Sequence, residues 1–124
     1  MSAPTRLHRL LAVLALGAVL PAAHAADAAH GKDLYETYCT GCHSPDRNRV
    51  GPAHRGVFGR RAGGAPGYAY SPALASSSVT WTSETLDAWL RDPEKLIPGQ
   101  KMGFSLADAA ERQDVIAYLA SLSR

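Results

Sequence analysis

Five consecutive residues, Cys39-Thr40-Gly41-Cys42-His43, constrain this chain more than any other feature. They hold its only two cysteines, too close together for a disulfide that would close a useful loop. A zinc site wants four nitrogen or sulfur ligands, and beyond the N-terminal segment the chain offers two cysteines and three histidines. A redox dithiol normally sits on a βαβ framework, and no strand pattern is evident. The histidine directly after the second cysteine favours another chemistry. In C-x-x-C-H the two thiols add to the vinyl groups of a haem and the adjacent imidazole reaches the iron. One covalently attached haem c is therefore expected, held by Cys39 and Cys42 with His43 as an axial ligand.

The compartment follows from the N-terminus. Arg6 and Arg9 precede an unbroken apolar run over residues 10–20, Pro21 ends it, and Ala23-His24-Ala25 supplies a small-residue cleavage site. Eleven apolar residues fall short of the roughly 20 that span a bilayer. Residues 1–25 are expected to be a signal peptide and 26–124 the functional domain, exported to the periplasm with no membrane span after cleavage. The formal net charge of the whole chain is +2, but losing Arg6 and Arg9 leaves 11 basic against 11 acidic side chains. A neutral domain argues against nucleic acid as a partner. Arg47, Arg49, Arg55, Arg60 and Arg61 do cluster, as a solvated or anion-pairing loop or as a docking patch.

The remaining 99 residues can bury only a modest core, so a large cofactor would supply much of the missing interior. Residues 28–41 read as a helix with Leu34, Tyr35 and Tyr38 on one face, and Gly31 within it suggests a close helix crossing. From Ser44 to Thr82 glycine, proline, serine and arginine dominate without a sustained period. A loop region of that length is uncommon in a compact domain unless it wraps something large. Ser83–Asp92 resumes a helical pattern, and Pro93–Leu96 can add one short turn. Ser105-x-x-Asp108 has the look of a capping box opening a last helix, whose Val115, Ile116, Leu119 and Leu122 form a clear apolar face. The expected class is all-α, with three main helices, short helical turns and long loops around the haem.

The second axial ligand decides what the iron can do. Met102, in Pro98-Gly99-Gln100-Lys101-Met102, is the leading candidate, because a methionine in a turn-forming loop has little packing reason to be there. His54 is the other, though a surface or hydrogen-bonding role suits it better.

Beyond these residues the chain resembles the class I, single-haem cytochrome c family, in its mitochondrial-type branch and bacterial relatives. The likeness covers residues 28–123 and is carried by Gly31, Tyr35, CTGCH, Gly51-Pro52, GVFGRRAG (56–63), APGYAYS (65–71), Trp81, ETLDAWLRDP (84–93), IPGQKMGF (97–104) and RQDVIAYL (112–119). It implies His43 and Met102 as axial ligands, the Pro52 carbonyl as acceptor for the second nitrogen of His43, and Arg60, Tyr70 and Trp81 as donors to the haem propionates. Four positions depart from the pattern. His54 stands where an apolar haem contact is usual, Leu74 where asparagine is frequent, Trp89 for a tyrosine near the methionine, and Gln100 for threonine. The reduction potential therefore does not carry over. The lysine ring of mitochondrial relatives is also thin, with Lys95 and Lys101 present but Glu94 beside them.

With both axial positions closed and no catalytic constellation beside them, the expected function is a one-electron carrier, not an enzyme, working as a monomer. Its partners would be redox proteins, such as a quinol-cytochrome c reductase-type complex, a terminal oxidase or a periplasmic dehydrogenase. The alternative is a haem-based sensor or peroxidase-like enzyme with a labile sixth ligand and His54 on the distal side.

Overall fold

The computed structural model describes residue 1 and residues 17–122. Most of the expected leader, residues 2–16, lies outside the described residues. Among the described residues there are five helices: α1 (Ala28–Tyr38), α2 (Pro72–Ala75), α3 (Ser83–Arg91), α4 (Pro93–Leu96) and α5 (Ala109–Ser121). The described residues form no strand, and Arg61 and Thr80 make one isolated bridge. None of the described helices is long and apolar enough to cross a membrane.

Local chemistry sets the helix ends. The Asp27 carboxylate accepts the N–H groups of Ala29 and His30, which would otherwise be unpaired at the start of α1. Thr82 and Thr85 cap α3 reciprocally, and Asp92 ends α3 while accepting the Lys95 N–H that starts α4. Pro93 takes the first position of α4, where its missing N–H costs nothing.

Two expectations at the helix ends need correction. The last helix opens at Asp108, which accepts the Glu111 N–H at 2.9 Å, and not at Ser105. The buried Arg112 guanidinium binds the carbonyls of Leu106 and Ala107 at 2.9 and 2.7 Å, acceptors that an earlier start would need for its own first turn. α1 likewise stops at Tyr38, three residues early, because Cys42 and His43 both donate to the Cys39 carbonyl and turn the chain back. Tyr38 is exposed rather than packed with Leu34 and Tyr35. It lies two turns along from Gly31, and its ring meets Phe104 at 5.9 Å.

α1 crosses α5 at Gly31, as the glycine suggested, and a β-carbon there would come within 1.9 Å of the Asp114 carbonyl oxygen. Around the crossing Leu34, Tyr35, Val115, Ile116, Leu119 and Leu122 are buried, which confirms the apolar face expected of the last helix. Asp87 on α3 accepts from Arg112 at 2.7 Å and joins α3 to α5. The long loop between α1 and α3 closes on itself through Ala62 N–H to the Val79 carbonyl, Trp81 N–H to that of Arg60, and Gly59 N–H to that of Trp81. Arg60 and Trp81 are thereby held side by side.

Candidate haem site

The end of α1 delivers the cysteines and His43 together. His43 N–H bonds the Cys39 carbonyl at 2.8 Å, and Gly51 N–H bonds that of Cys42 at 2.8 Å, so the loop carrying Gly51-Pro52 lies against the motif. Arg49 reinforces it by donating to the Thr40 and His43 carbonyls. Gly51 is required by contact, since a β-carbon there would fall 2.2 Å from Cε1 of His43. The next residue presents the carbonyl: His43 Nδ1 lies 2.9 Å from the Pro52 oxygen. A carbonyl can only accept, so Nδ1 carries the proton and Nε2 keeps its lone pair, as a metal-binding imidazole requires. Burial holds the His43 pKa below its ordinary value, while the Pro52 contact opposes the shift.

Burial also pushes the Cys39 thiol up to about 11. An activated dithiol would show the reverse, a lowered pKa and an electropositive surround.

His54 occupies an unforeseen place. Its ring stacks on that of His43, with centroids 4.1 Å apart and planes at 21°. Its Nδ1 is 2.9 Å from the hydroxyl of Tyr35, which is itself 1% exposed. Burial, then His43 and Arg60, lower the His54 pKa to about 3, so this imidazole is neutral.

Arg60 supplies the most direct test of fit for a cofactor. Its terminal nitrogens donate to the Ala53 and Arg55 carbonyls at 3.0 and 3.3 Å, yet its Nε is buried without a partner. A buried guanidinium nitrogen left unpaired is costly, and it calls for an acceptor the polypeptide does not supply. A haem propionate is such an acceptor. Nearby, the Tyr70 hydroxyl accepts the Ala65 N–H at 3.0 Å and keeps its own hydrogen to donate. Trp81 is buried, its ring 5.3 Å from that of Trp89.

Met102 comes from the loop after α4. Its N–H donates to Gln100 Oε1 at 2.5 Å, and the Glu94 carboxylate receives Gly99 N–H at 2.8 Å and Gln100 Nε2 at 3.3 Å. Gln100, the departure from the usual threonine, therefore ties Met102 to the start of α4.

All nine expected site residues, Cys39, Cys42, His43, Pro52, Arg60, Tyr70, Trp81, Trp89 and Met102, line a single cavity of about 470 Å³. That lies within the roughly 300–1,000 Å³ typical of cofactor pockets. His54, at the position where the resemblance puts a haem contact, and Leu74 also line the cavity, as do Tyr35, Val57, Leu86 and Val115, which the sequence reading did not place there. The helical apolar faces already contained Leu86 and Val115. Nothing in their periodicity separates facing a cofactor from facing another helix.

The family model for cytochrome c matches residues 28–123. The chain belongs to the cytochrome c family. Cytochrome c2 of Rhodopila globiformis is 43% identical over 99 residues, which cover 77% of this chain and 93% of that protein. Cytochrome c of Euglena viridis is also 43% identical over 99 residues, covering 77% and 97%. Among solved structures, cytochrome cH from Methylobacterium extorquens superposes with a TM-score of 0.73 at 45% identity, over 77% of this chain and 98% of that one. As in the cytochrome c family generally, the cofactor is a covalently attached c-type haem, and the all-α fold wrapped in long loops is the family's.

Proposed function

We propose that this monohaem electron carrier binds its haem through Cys39 and Cys42 and closes both faces of the iron with His43 and Met102. The observation that carries the reading is the convergence of these four residues on one cavity, with His43 Nδ1 held by Pro52 and Arg60 Nε left without a partner. Bound there, the haem supplies exchange of one electron between ferric and ferrous iron. The protein's residues do the rest. Pro52 holds the imidazole with Nε2 free for iron, and Gln100 restrains Met102 through its N–H. Arg60, Tyr70 and Trp81 donate to propionates, and Trp89 with the apolar wall excludes water. Cys42 and Val50, the latter 73% exposed, stand at the cavity rim where electrons would cross to partners.

The carrier reading extends to the cell. Residues 1–25 act as the leader, the domain 26–124 works in the periplasm as a monomer, and it takes single electrons from one redox protein and passes them to another. Donors and acceptors fall in the classes of quinol-cytochrome c reductase-type complexes, terminal oxidases and periplasmic dehydrogenases. No enzymatic role is assigned. A sensor or peroxidase-like enzyme would need a group ready to meet a ligand on the open face of iron, and His54, stacked on His43, is poorly placed for that.

Intact-mass analysis and redox titration of the protein purified from periplasm test the proposal together. The expected result is a chain beginning at Ala26 with one haem added and a reversible one-electron titration. A chain without haem, or a titration that does not follow one-electron behaviour, contradicts it.

A further inference from the structure

His43 has a second restraint that its hydrogen bond to Pro52 does not provide. One bond at Nδ1 fixes which nitrogen carries the proton, but leaves the ring free to turn about the line of that bond. A ring stacked at 4.1 Å and 21° removes that freedom, and His54 is that ring. His54 is anchored in turn, because the Tyr35 hydroxyl lies 2.9 Å from its Nδ1 and their rings meet edge to face at 5.5 Å. Tyr35 cannot turn away, since it is buried at the α1–α5 crossing and packs on Tyr118 at 5.1 Å. An unpaired hydroxyl there would be costly, so the Tyr35–His54 bond is worth keeping.

We propose that Tyr35 and His54 are positioning residues for His43: Tyr35 anchors the His54 ring, which sets the plane of the His43 imidazole and places a polar, polarisable group beside the iron site. The plane of an axial imidazole orients the magnetic axes of ferric haem. A polar neighbour favours the more highly charged ferric state over the ferrous one, so it lowers the potential. Leucine at position 54 reverses both effects.

The test uses the holoprotein and the variants His54→Leu, Tyr35→Phe and the double substitution. It reads the ferric g values by electron paramagnetic resonance and the potential against a fixed mediator. In His54→Leu the g values change, and the equilibrium shifts at least threefold toward reduced protein, about 28 mV at 59 mV per tenfold. Tyr35→Phe moves both readouts the same way by less, and the double variant goes no further than His54→Leu. If the leucine variant does not accumulate, His54→Phe keeps a stacked ring without its hydrogen bond. It should shift the g values less than leucine does, as Tyr35→Phe does, and raise the potential. Unchanged g values in His54→Leu, or a potential that stays put or falls in whichever variant is measured, overturns the proposal, whatever happens to stability. The proposal rests on the reading that His43 and Met102 both bind the iron. A parent protein whose ferric spectrum is high-spin overturns that reading first, before any variant is made.

Discussion

Gly31 lies so close to the Asp114 backbone that α1 and α5 touch main chain to main chain, with room for no β-carbon between them. The added atom would meet the carbonyl oxygen at 1.9 Å and the carbonyl carbon at 2.4 Å, and neither can swing aside as a side-chain tip could. Alanine gains about 1 kcal/mol of helix propensity over glycine. Overpacking a crossing by one methyl typically costs about 1–3 kcal/mol, and more where backbone must move. Gly31→Ala should therefore be destabilised by about 2 kcal/mol net, read as a lower denaturant midpoint in the holoprotein. An unchanged or higher midpoint would show that the helices are not in this register.

The side chain of Asp114 gives the same interface a pH dependence. Its carboxylate accepts the Asp27 N–H at 2.8 Å and faces His30 Nδ1 at 2.7 Å and His24 Nε2 at 2.9 Å. Removal of the proposed leader takes His24 away and leaves the other two. The Asp27 N–H, then the two histidines, hold the carboxyl at about 2, below its ordinary 3.8. Its contribution is thus present above pH 3.8 and is lost as pH falls toward 2. His30 is raised above 6.5 chiefly by its hydrogen bond to Asp114, so its contribution is present below 6.5 and fades as pH rises through the raised value. The stability gap between parent and Asp114→Asn should be widest between these limits and narrow on either side. A gap that does not vary with pH would contradict the assignment.

Gln100 is expected to set how firmly Met102 is held. Removing its side chain in Gln100→Ala leaves the Met102 N–H and the Glu94 carboxylate to water. About 1 kcal/mol is a usual value for such a bond. That converts to roughly a fivefold larger population with Met102 displaced. Imidazole binding to the ferric protein reports this population and should strengthen by a similar factor, with little change in global stability. Equal affinity in parent and variant would show that the Gln100 contact does not restrain Met102.

Met102→Ala should open a coordination position and lower the potential, because a methionine ligand raises it. The weak far-red absorption of a sulfur-ligated ferric haem should disappear. Its persistence in the variant would show that another residue supplies the ligand.

What could be read from sequence divides along physical lines. Cys39, Cys42 and His43 were legible because their spacing is dictated by one cofactor's chemistry, and Val115, Ile116, Leu119 and Leu122 because a helix repeats its buried face. Contacts between segments distant in sequence leave no such period. The resemblance marks position 54 as a haem contact, but the stacking of His54 on His43 exists only because Gly51-Pro52 folds the loop back. Arg112 and Asp114 are charged yet 5% and 2% exposed, each satisfied by partners from other segments. The start of that helix was misplaced at Ser105 for the same reason, since Arg112 claims the carbonyls that an earlier turn would use.

The central claim is that His43 and Met102 close both axial positions, so that the iron exchanges electrons without binding a substrate. Carbon monoxide added to the reduced native protein at neutral pH tests it most directly. The account predicts a visible spectrum that stays unchanged on the mixing timescale, with prompt binding only in the Met102→Ala protein. Prompt binding to the native protein would contradict it.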